Sequence, residues 1–353
     1  MKIGILFGGR SYEHDISVIT AAEAYAALKG RAELYPIYAT EGRFLLIEGG
    51  IEVGRFAEKR YRGKHVTFEK GVIRAGRRRI FIDCMLMCCH GGEGENGSFS
   101  ALMEVYNIPY TASSVCPSAV TMDKRRTKII AEKGGFPTPR AIWGRWGEDL
   151  PKMASELRYP LIVKPARLGS SIGIGIAHNE EELIGALSVA FSFDRDAVIE
   201  EVVEDAVELN CAAFFEGGKV IVGGVENPRS WQEFLTFDEK YRGGKYKSGG
   251  NAIVRGDLAE RVRTMTERIY REFELFGIVR IDYLYSEKED VLYLNEINSQ
   301  PGSLAFYLFE EIGIEFSDLL FRVIEESILR FKQNDIIQFN SGVLDNLSVL
   351  SRK

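Results

Sequence analysis

The sequence predicts an α/β protein of several domains, with a parallel α/β domain at the N-terminus and two β-rich lobes after it. The length of 353 residues exceeds what one small core accommodates. The content of 45% hydrophobic and 27% charged residues is typical of a globular chain, and strand-like apolar runs alternate with helical patterns. We place domains at residues 1–112, 113–209 and 210–332, followed by a tail at 333–353 without an assigned role.

The N-terminal domain is predicted from two strand–loop–helix units. The run KIGILF stops at Gly8-Gly9, and VITAAEAYAALKG then shows a helical pattern that ends at Gly30. A second apolar run, RIFIDCMLMCC, is followed by the loop HGGEGENGS and by the helical pattern of FSALMEVYNI. Two such units indicate a parallel sheet with ligands beyond the carboxyl ends of its strands. The absence of GxGxxG disfavours a dinucleotide domain.

The central segment begins with SAVTMDKRRTKIIAEK, predicted as one helix that Gly134-Gly135 closes before the prolines of FPTPR. Residues 159–177 contain two short β-rich runs that flank a Gly-Ser loop. Asn179 and Glu182 then form a capping-box pattern at the start of a helix. The segment DAVIEEVVEDAVELNCAAFF predicts a further strand pair.

The third segment begins near Asn210 with strands and continues into the polar, glycine-rich stretch FDEKYRGGKYKSGGNAI. A long helix is predicted in DLAERVRTMTERIYREFELFG, and a hairpin follows over residues 280–298. The segment EEIGIEFSDLLFRVIEESILRF is predicted to be helical.

The composition disfavours several classes of function. The net charge is −6, and the basic runs GRRRI and KRR are interpreted as solvated faces rather than a nucleic-acid patch. No apolar stretch approaches the roughly 20 residues of a membrane span. Five cysteines without framework spacing, and no signal peptide, predict reduced thiols in a soluble cytosolic protein. Zinc at Cys88-Cys89-His90 is the alternative to buried thiols, but no second ligand pair has zinc-site spacing.

The hairpin segment RIDYLYSEKEDVLYLNEINSQPG contains a candidate metal site. Residues that face each other in an antiparallel pair have a constant index sum, and side chains two apart share a face. A turn centred near residue 289 places Asp282 opposite Glu296 and Arg280 opposite Asn298, all on one face. Two carboxylates and an amide oxygen are donors that suit Mg²⁺. The alternative interpretation is a solvated face with a surface ion pair.

Two lysines and a flexible loop are candidates for phosphate binding. Lys164 ends the run IVKP just before ARLGSSIG, where Gly169 and Gly173 allow the backbone to close over phosphate oxygens. Lys124 lies in the helix of the central segment. Solvated surface lysines are the alternative. Together with the metal donors, the pattern favours a nucleotide held between the two β-rich lobes.

The order of these segments resembles the ATP-grasp superfamily and, within it, the D-alanine:D-alanine ligases. The resemblance covers residues 3 to about 330 in family order. Its main stretches are GGRSYEHDIS, HGGEGENGS, IPYTASSV, SAVTMDKRRTK, TPR, YPLIVKPARLGSSIGI, FDEKY, RIDYLY and NEINSQPGS.

The resemblance implies a three-domain ATP-grasp fold, with ATP and two Mg²⁺ ions bound and Mn²⁺ as an alternative metal. The implied partners are the small molecules ATP and D-alanine, without nucleic acid or membrane, and the implied assembly is a cytoplasmic homodimer. ATP binding is expected from Lys124, Lys164, Ser171, Glu200, Glu201, Glu208 and Lys240. Metal binding is expected from Asp282, Glu296 and Asn298. Substrate binding and catalysis are expected from Glu13, His90, Glu95, Ser170, Tyr241, Arg280, Gly302, Ser303 and Tyr307.

The implied reaction forms D-alanyl-D-alanine for peptidoglycan precursors through an acyl phosphate. Arg280 and the backbone N–H of Gly302 would stabilise the tetrahedral oxyanion. Glu13, Ser170 and Tyr241 would form a hydrogen-bonded set that closes the site. Residues 237–250 would be the lid that excludes water.

One departure from the family pattern concerns the second substrate. The ligases usually follow Pro-Gly with a serine-rich stretch, whereas this chain reads SLAFYLF, with Tyr307 where a small hydroxyl residue is expected. The second substrate therefore stays open between D-alanine, D-serine, D-lactate and another acceptor. The alternative from a different class is a nucleotide-binding sensor that has lost catalysis. This alternative is disfavoured because the chain retains the residues expected for catalysis and metal binding, which are Arg280, Asp282, Glu296 and Asn298.

Overall fold

The computed structural model describes residues 1–228 and 252–333, which form three β-sheets with helices packed against them. Lys240, Tyr241, the expected lid and the tail from residue 334 lie outside the described residues. Within the two described ranges, no helix combines the length and apolar character that a membrane span requires.

The first sheet has seven strands in the order β6-β5-β4-β3-β2-β1-β7, and its end formed by β2, β1 and β7 is parallel as predicted. Strand β1 pairs in parallel with β2 on one side and with β7 on the other. Strands β3 to β5, which the sequence pattern did not predict, and β6 extend the sheet by antiparallel pairing. The run RIFIDCMLMCC accordingly contains two strands, β6 and β7. The strands are β1 (Lys2–Gly8), β2 (Glu33–Thr40), β3 (Arg43–Ile47), β4 (Gly63–Glu69), β5 (Val72–Ala75), β6 (Arg78–Phe81) and β7 (Cys84–Met87).

Four helices accompany this sheet, and the two predicted helical patterns are confirmed. The helix after β1 begins four residues earlier than the pattern VITAAEAYAALKG predicts. The loop HGGEGENGS after β7 contains a short helical turn before the second predicted helix. The helices are α1 (His14–Leu28), α2 (Val53–Ala57), α3 (Gly92–Glu95) and α4 (Ser98–Val105).

The prediction of one helix over SAVTMDKRRTKIIAEK is wrong in one respect, because this segment forms two helices. These are α5 (Val115–Met122) and α6 (Lys124–Lys133). Asp123 between them has an extended backbone, with φ −96° and ψ 103°, and its side chain accepts a hydrogen bond from the N–H of Arg125. Asp123 is therefore the N-cap of α6, and Lys124 lies in the first turn of that helix.

The second sheet is antiparallel, with the order β10-β9-β11-β8. The predicted pair of short strands around the Gly-Ser loop is confirmed as β9 and β10. Asn179 accepts a hydrogen bond from the N–H of Glu182 at 3.0 Å, which confirms the N-cap. The carboxylate of Glu182 accepts from the N–H of His178 at 2.8 Å, one residue before the cap. The elements are β8 (Ala141–Arg145), α7 (Leu150–Met153), β9 (Leu161–Pro165), β10 (Gly175–Ala177), α8 (Glu180–Phe191) and β11 (Asp196–Glu201).

Replacing Asn179 with alanine is predicted to lower the free energy of unfolding of this lobe by about 1 kcal/mol, because the first turn of α8 loses its side-chain acceptor. The measurement is denaturant unfolding, with Ser192→Ala at the other end of the same helix as the comparison. Asn179→Asp should retain most of the stability, since its side-chain oxygen still caps the helix. Equal stability of Asn179→Ala and the native protein would contradict the cap.

The third sheet is antiparallel, with the order β14-β13-β12-β15-β16. Strands β11 and β12, predicted as a strand pair, lie in different sheets. Strand β11 pairs with β8 and β9, whereas β12 pairs with β13 and β15, so both edges of each strand are occupied. The elements are β12 (Val207–Glu216), β13 (Lys219–Asn227), β14 (Ala252–Val254), α9 (Asp257–Glu272), β15 (Val279–Ser286), β16 (Val291–Asn298), α10 (Phe306–Glu310) and α11 (Phe316–Gln333).

One hydrophobic core joins the first sheet to the third. Phe7 and Leu86 of the parallel strands share this core with Phe214 of β12, Leu308 of α10 and Leu320 of α11, all at most 1% exposed. The C-terminal helices therefore share one core with β1, β7 and Leu304 of the turn that follows β16. Four of the five cysteines are buried, as expected for core thiols, and the fifth is exposed; the buried ones are Cys84, Cys88, Cys89 and Cys211.

Candidate active site

The register predicted for the hairpin is confirmed. Asp282 pairs with Glu296 across strands β15 and β16, and Arg280 pairs with Asn298. The register shifts by one residue between Asp282 and Tyr283, so Asn295 is the extra residue of a β-bulge. Bulges re-aim side chains next to functional sites. Here the bulge brings the amide of Asn295 to the same region as Glu296.

Arg280, Asp282 and Asn298 form one hydrogen-bonded group on this face. The guanidinium of Arg280 donates to both carboxylate oxygens of Asp282, at 2.7 and 2.8 Å. Asn298 Nδ2 donates to the same carboxylate at 2.9 Å. Burial would lower the pKa of Arg280, but the charge of Asp282 overrides this effect and raises it. Arg280 is thus a fixed cation with a defined orientation.

Lys164 lies on β9 and points toward the same face of the hairpin. Its Nζ atom donates to Glu200 Oε2 at 2.8 Å and to Asn295 Oδ1 at 3.2 Å. The Nζ atom of a second lysine, Lys128, lies 3.3 Å from Glu200 Oε1. Burial would raise the pKa of Glu200, but the charges of Lys128 and Lys164 lower it to about 2. Glu200 is therefore the ionised counter-charge that orients both lysines.

Lys124 connects the Gly-Ser loop with the hairpin. Its Nζ atom donates to the Leu168 carbonyl oxygen at 2.6 Å and lies 3.7 Å from Glu296 Oε1. In the loop, Ser170 and Ser171 have φ values of 55° and 58°. These residues lie in a turn, and turns can direct successive backbone N–H groups into a concavity that binds anions. The lysine, the loop and Glu296 therefore surround one polar region.

Glu13 is brought to this region from the first sheet. It is the residue before α1, and its carboxylate accepts a hydrogen bond from Ser170 Oγ of the Gly-Ser loop. Between these parts lies a cleft of about 350 Å³ lined by Tyr12, Glu13, Gly91 and Gly169, among others. Gly91 has φ 61°, and a Cβ atom there would lie 2.5 Å from Glu13 Oε2. A side chain at this position would therefore displace the Glu13 carboxylate from its present place.

His90 follows β7 and is 2% exposed. Its Nδ1 lies 2.6 Å from the Gln300 carbonyl oxygen, and its Nε2 lies 2.7 Å from Thr20 Oγ1. Burial lowers the pKa of His90 to about 4, against the opposing effect of the hydrogen bond to Gln300. Because protein groups occupy both ring nitrogens, the geometry favours a positioning role over the direct substrate contact that the resemblance implies.

Glu95 lies in α3, close to Glu13. Its Oε1 accepts a hydrogen bond from the N–H of Gly91 at 2.8 Å. Burial and the negative charge of Glu13 raise the pKa of Glu95. The raised pKa favours the protonated form, which reduces the repulsion between two neighbouring carboxyl groups.

The chain after Gly302 adopts a strained turn. Residues 303, 304 and 305 have φ values of 51°, 50° and 46°, although none is glycine. Left-handed backbone costs such residues about 1–2 kcal/mol each, and it persists where surrounding contacts hold it. Among residues 1–228 and 252–333, a Cβ atom added at Gly302 would meet only Ile16, at 3.7 Å. The described part of the chain therefore leaves space beside this backbone for a ligand.

The remaining candidates are Tyr307 and two acidic residues, Glu201 and Glu208. The phenol of Tyr307 donates to Glu226 Oε1 at 2.9 Å, and burial raises the pKa of Tyr307. Glu201 follows Glu200 at the end of β11. Its Oε2 atom forms an ion pair with Nη2 of Arg158 at 2.8 Å. Glu208 is half-buried on β12, and Asn227 Nδ2 donates to its carbonyl oxygen at 2.7 Å.

Three residues of the site were not predicted. Lys128 could have been found, since it lies four residues after Lys124 and therefore shares its helical face. Asn295 follows from the β-bulge, which residue alternation does not predict. Thr20 lies on a helix whose sequence pattern is typical of apolar packing. The sequence contains no signal that singles it out.

The stability of the protein toward acid is predicted to depend on His90. Its folded pKa of about 4 lies below the ordinary 6.5, so the stabilisation is complete above pH 6.5 and is lost as the pH falls from 6.5 to 4. The loss is on the order of 3 kcal/mol. Glu200, with a pKa of about 2, adds a separate loss as the pH falls from 4.5 toward 2.

Unfolding free energies measured from pH 7.5 to 3.5 test this prediction. His90→Asn retains polar groups but does not titrate, so its stability should vary less between pH 6.5 and 4 than that of the native protein. His178→Asn changes an exposed histidine and serves as the control. Parallel curves for His90→Asn and the native protein would rule out the neutral buried imidazole.

Comparisons with known proteins agree with this geometry. A family model described as D-ala D-ala ligase N-terminus matches residues 2–113, and one described as D-ala D-ala ligase C-terminus matches residues 140–325. The D-alanine–D-alanine ligase of Thermosipho africanus is 33% identical over 98% of each chain.

Solved structures show the same fold. The D-alanine-D-alanine ligase from Coxiella burnetii has a TM-score of 0.81 at 22% identity and covers 100% of this chain and 99% of its own. The D-alanine–D-alanine ligase from Bacillus anthracis complexed with ATP has a TM-score of 0.69 at 26% identity, with 94% and 99% covered. These likenesses confirm the predicted ATP-grasp fold. The chain belongs to the D-alanine–D-alanine ligase family.

Proposed function

We propose that this protein is an ATP-dependent ligase that joins two D-alanine molecules for peptidoglycan precursor synthesis. The observation that carries the proposal is the convergence of three parts. The hairpin face with Arg280 and Asp282 lies beside Lys164, and the Gly-Ser loop connects this face to Glu13. A phosphate-binding region thus adjoins a carboxylate that can hold an ammonium group.

Magnesium fits the donors of the hairpin. Asp282 and Glu296 offer carboxylate oxygens, and Asn298 directs its Nδ2 group to Asp282, so its amide oxygen can serve a cation. Within residues 1–228 and 252–333, no group of three or more His, Cys, Asp or Glu side chains is arranged to hold a metal. Two carboxylates and one amide oxygen suit an ion that keeps waters and shares phosphate oxygens. When bound, Mg²⁺ offsets negative charge on the phosphoryl group.

In the first step, a carboxylate oxygen of D-alanine attacks the γ-phosphorus of ATP, and the bond to the leaving ADP breaks. Lys124 and Lys164 orient the phosphates, and Glu13 holds the ammonium group of the first D-alanine. Lys164 needs no reorganisation, because Glu200 and Asn295 already fix its Nζ atom. Positioning supplies most of the catalysis in such a transfer.

In the second step, the amine of the second D-alanine attacks the acyl carbon, phosphate leaves, and the nitrogen loses its proton. Negative charge develops on the former carbonyl oxygen. The guanidinium of Arg280 and the backbone N–H of Gly302 stabilise this oxyanion in our proposal. Water must be excluded at this stage because the acyl phosphate hydrolyses.

The second substrate is the part of the proposal that depends on Tyr307. Its phenol donates a hydrogen bond to Glu226, and it stands where the ligases usually have a small hydroxyl residue. D-alanine is our proposed acceptor, with D-serine and D-lactate as competing ones. We further propose the division into domains at residues 112/113 and 209/210, a homodimer, and activity in the cytoplasm.

Product analysis tests the proposed function. The protein is incubated with ATP, Mg²⁺ and a panel of D-amino acids and D-hydroxy acids, and the products are identified by mass spectrometry. D-alanyl-D-alanine as the main product, with phosphate release that requires D-alanine, is the expected result. A main product with another acceptor would replace D-alanine at the second position. ATP binding without turnover for every acceptor would favour the sensor.

A further inference from the structure

The buried hydroxyl group of Thr20 on α1 contacts two loops of the candidate active site, namely the loop after β7 and the turn after β16. Thr20 is 0% exposed. Its Oγ1 atom accepts a hydrogen bond from the backbone N–H of Ser303 at 2.9 Å. The same atom lies 2.7 Å from Nε2 of His90. Thr20 therefore bridges the loop after β7 and the turn after β16.

The chemistry of the neighbours determines the direction of each hydrogen bond. A carbonyl oxygen only accepts, so His90 Nδ1 carries the proton that points to Gln300. In a neutral imidazole, Nε2 is then the acceptor, and the hydroxyl of Thr20 donates to it. The N–H of Ser303 donates to the same hydroxyl. The hydroxyl of Thr20 therefore acts both as a donor, to His90, and as an acceptor, from Ser303.

The neighbouring polar residues on α1 contact the same two loops. Ser17 Oγ accepts a hydrogen bond from the backbone N–H of His90 at 2.9 Å. The carboxyl group of Glu23 lies close to the side chain of Ser303. Ser17, Thr20 and Glu23 are spaced by three residues, which places them on one face of the helix. This polar face contacts both loops from one rigid element.

The turn that Thr20 holds is strained and adjoins a proposed catalytic group. Residues 303–305 have left-handed backbone without glycine, so their conformation requires contacts from outside the turn. Gly302 precedes the turn directly, and its backbone N–H is the proposed oxyanion donor. A shift of the turn would therefore displace this N–H relative to Arg280.

We propose that Thr20 is a positioning residue for the second half of the ligation, which holds the 303–305 turn and the Gly302 N–H at a fixed distance from the His90 loop. This inference rests on the proposed function. Thr20 lies on a helix of the first sheet, whereas Gly302 follows the third sheet, so the bridge sets the geometry between two parts of the fold. It acts on acyl transfer and not on ATP binding, because the phosphate-binding lysines lie outside this hydrogen-bonded chain.

Thr20→Val is the informative change, since valine has nearly the same shape but neither donates nor accepts. The N–H of Ser303 and Nε2 of His90 both lose their partner. We expect dipeptide formation to fall by about tenfold to a hundredfold, as for small displacements of reacting groups. The KM for ATP should stay within about twofold. The ratio of phosphate released to dipeptide formed should rise above one, because the acyl phosphate meets water before the acceptor.

Matched variants separate this role from a loss of stability. Thr20→Ser retains the hydroxyl and should restore a ratio near one. Thr266→Val removes an equally buried helical hydroxyl, which pairs with Tyr283 at 2.8 Å in another core, and should leave the ratio unchanged. If Thr20→Val does not fold, Thr20→Ala measured at low temperature replaces it.

Each outcome decides between the two proposals. A native protein that forms no dipeptide would overturn the proposed function. A native protein that forms dipeptide, together with a Thr20 variant whose phosphate-to-dipeptide ratio stays at one, would overturn the positioning role. An increased ratio in Thr20→Val, restored in Thr20→Ser and absent in Thr266→Val, would support it.

Discussion

Arg280→Ala is expected to lower the turnover number for dipeptide formation by about a hundredfold to a thousandfold, the effect of removing one oxyanion donor. The Kd for ATP should remain within about twofold, because the contacts of Lys124 and Lys164 do not involve Arg280. The guanidinium is held by both oxygens of Asp282, so it is oriented before substrate binds. Rapid-mix product analysis and calorimetric ATP titration measure the two quantities.

Two further variants sharpen this test. Arg280→Lys keeps the charge but loses the planar pair of donors, so it should recover only part of the activity. Arg271→Ala removes a half-exposed ion pair with Glu267 on α9 and should have no effect on turnover. Native turnover in Arg280→Ala would refute the oxyanion role.

Lys164→Met is expected to weaken ATP binding by about tenfold to a hundredfold, the equivalent of a charged hydrogen bond. Methionine has a similar length and fits a buried position, so the loss reflects the missing charge. Glu200 keeps Lys128 as its partner at 3.3 Å, which limits the destabilisation that an unpaired buried carboxylate would cause. ATP affinity is measured by titration, and unfolding is followed in parallel.

Lys219→Met provides the control for this change, because Lys219 is exposed at the start of β13. It should bind ATP like the native protein. The double variant of Lys164 and Lys128 should lose stability as well as affinity, since Glu200 then has neither lysine beside it. Unchanged ATP affinity in Lys164→Met would show that this lysine serves only to neutralise Glu200.

Features governed by neighbouring residues could be predicted from the sequence. The hairpin register depends on a short turn and on strand alternation, and the pairs of Asp282 with Glu296 and of Arg280 with Asn298 were confirmed. The N-cap at Asn179 depends on one side chain and a nearby backbone N–H, and it was also confirmed. Such patterns survive folding because their partners are close in the chain.

Features that depend on distant partners could not be predicted. The break at Asp123 coincides with an ion pair to Arg167 in the Gly-Ser loop, at 4.0 Å. The separation of β11 from β12 reflects competition among strands for sheet edges. Both results involve contacts whose sequence separation is large, and residue periodicity carries no information on them.

By itself, the sequence determined the α/β class, the hairpin that presents Arg280 and the metal donors, and the loops beyond β1 and β7. Only the tertiary structure decided how these parts meet. It placed Glu200 between two lysines and set Thr20 between His90 and Ser303. The physical reason is that local preferences act within a few residues, whereas burial of a shared core selects which distant polar groups must satisfy one another.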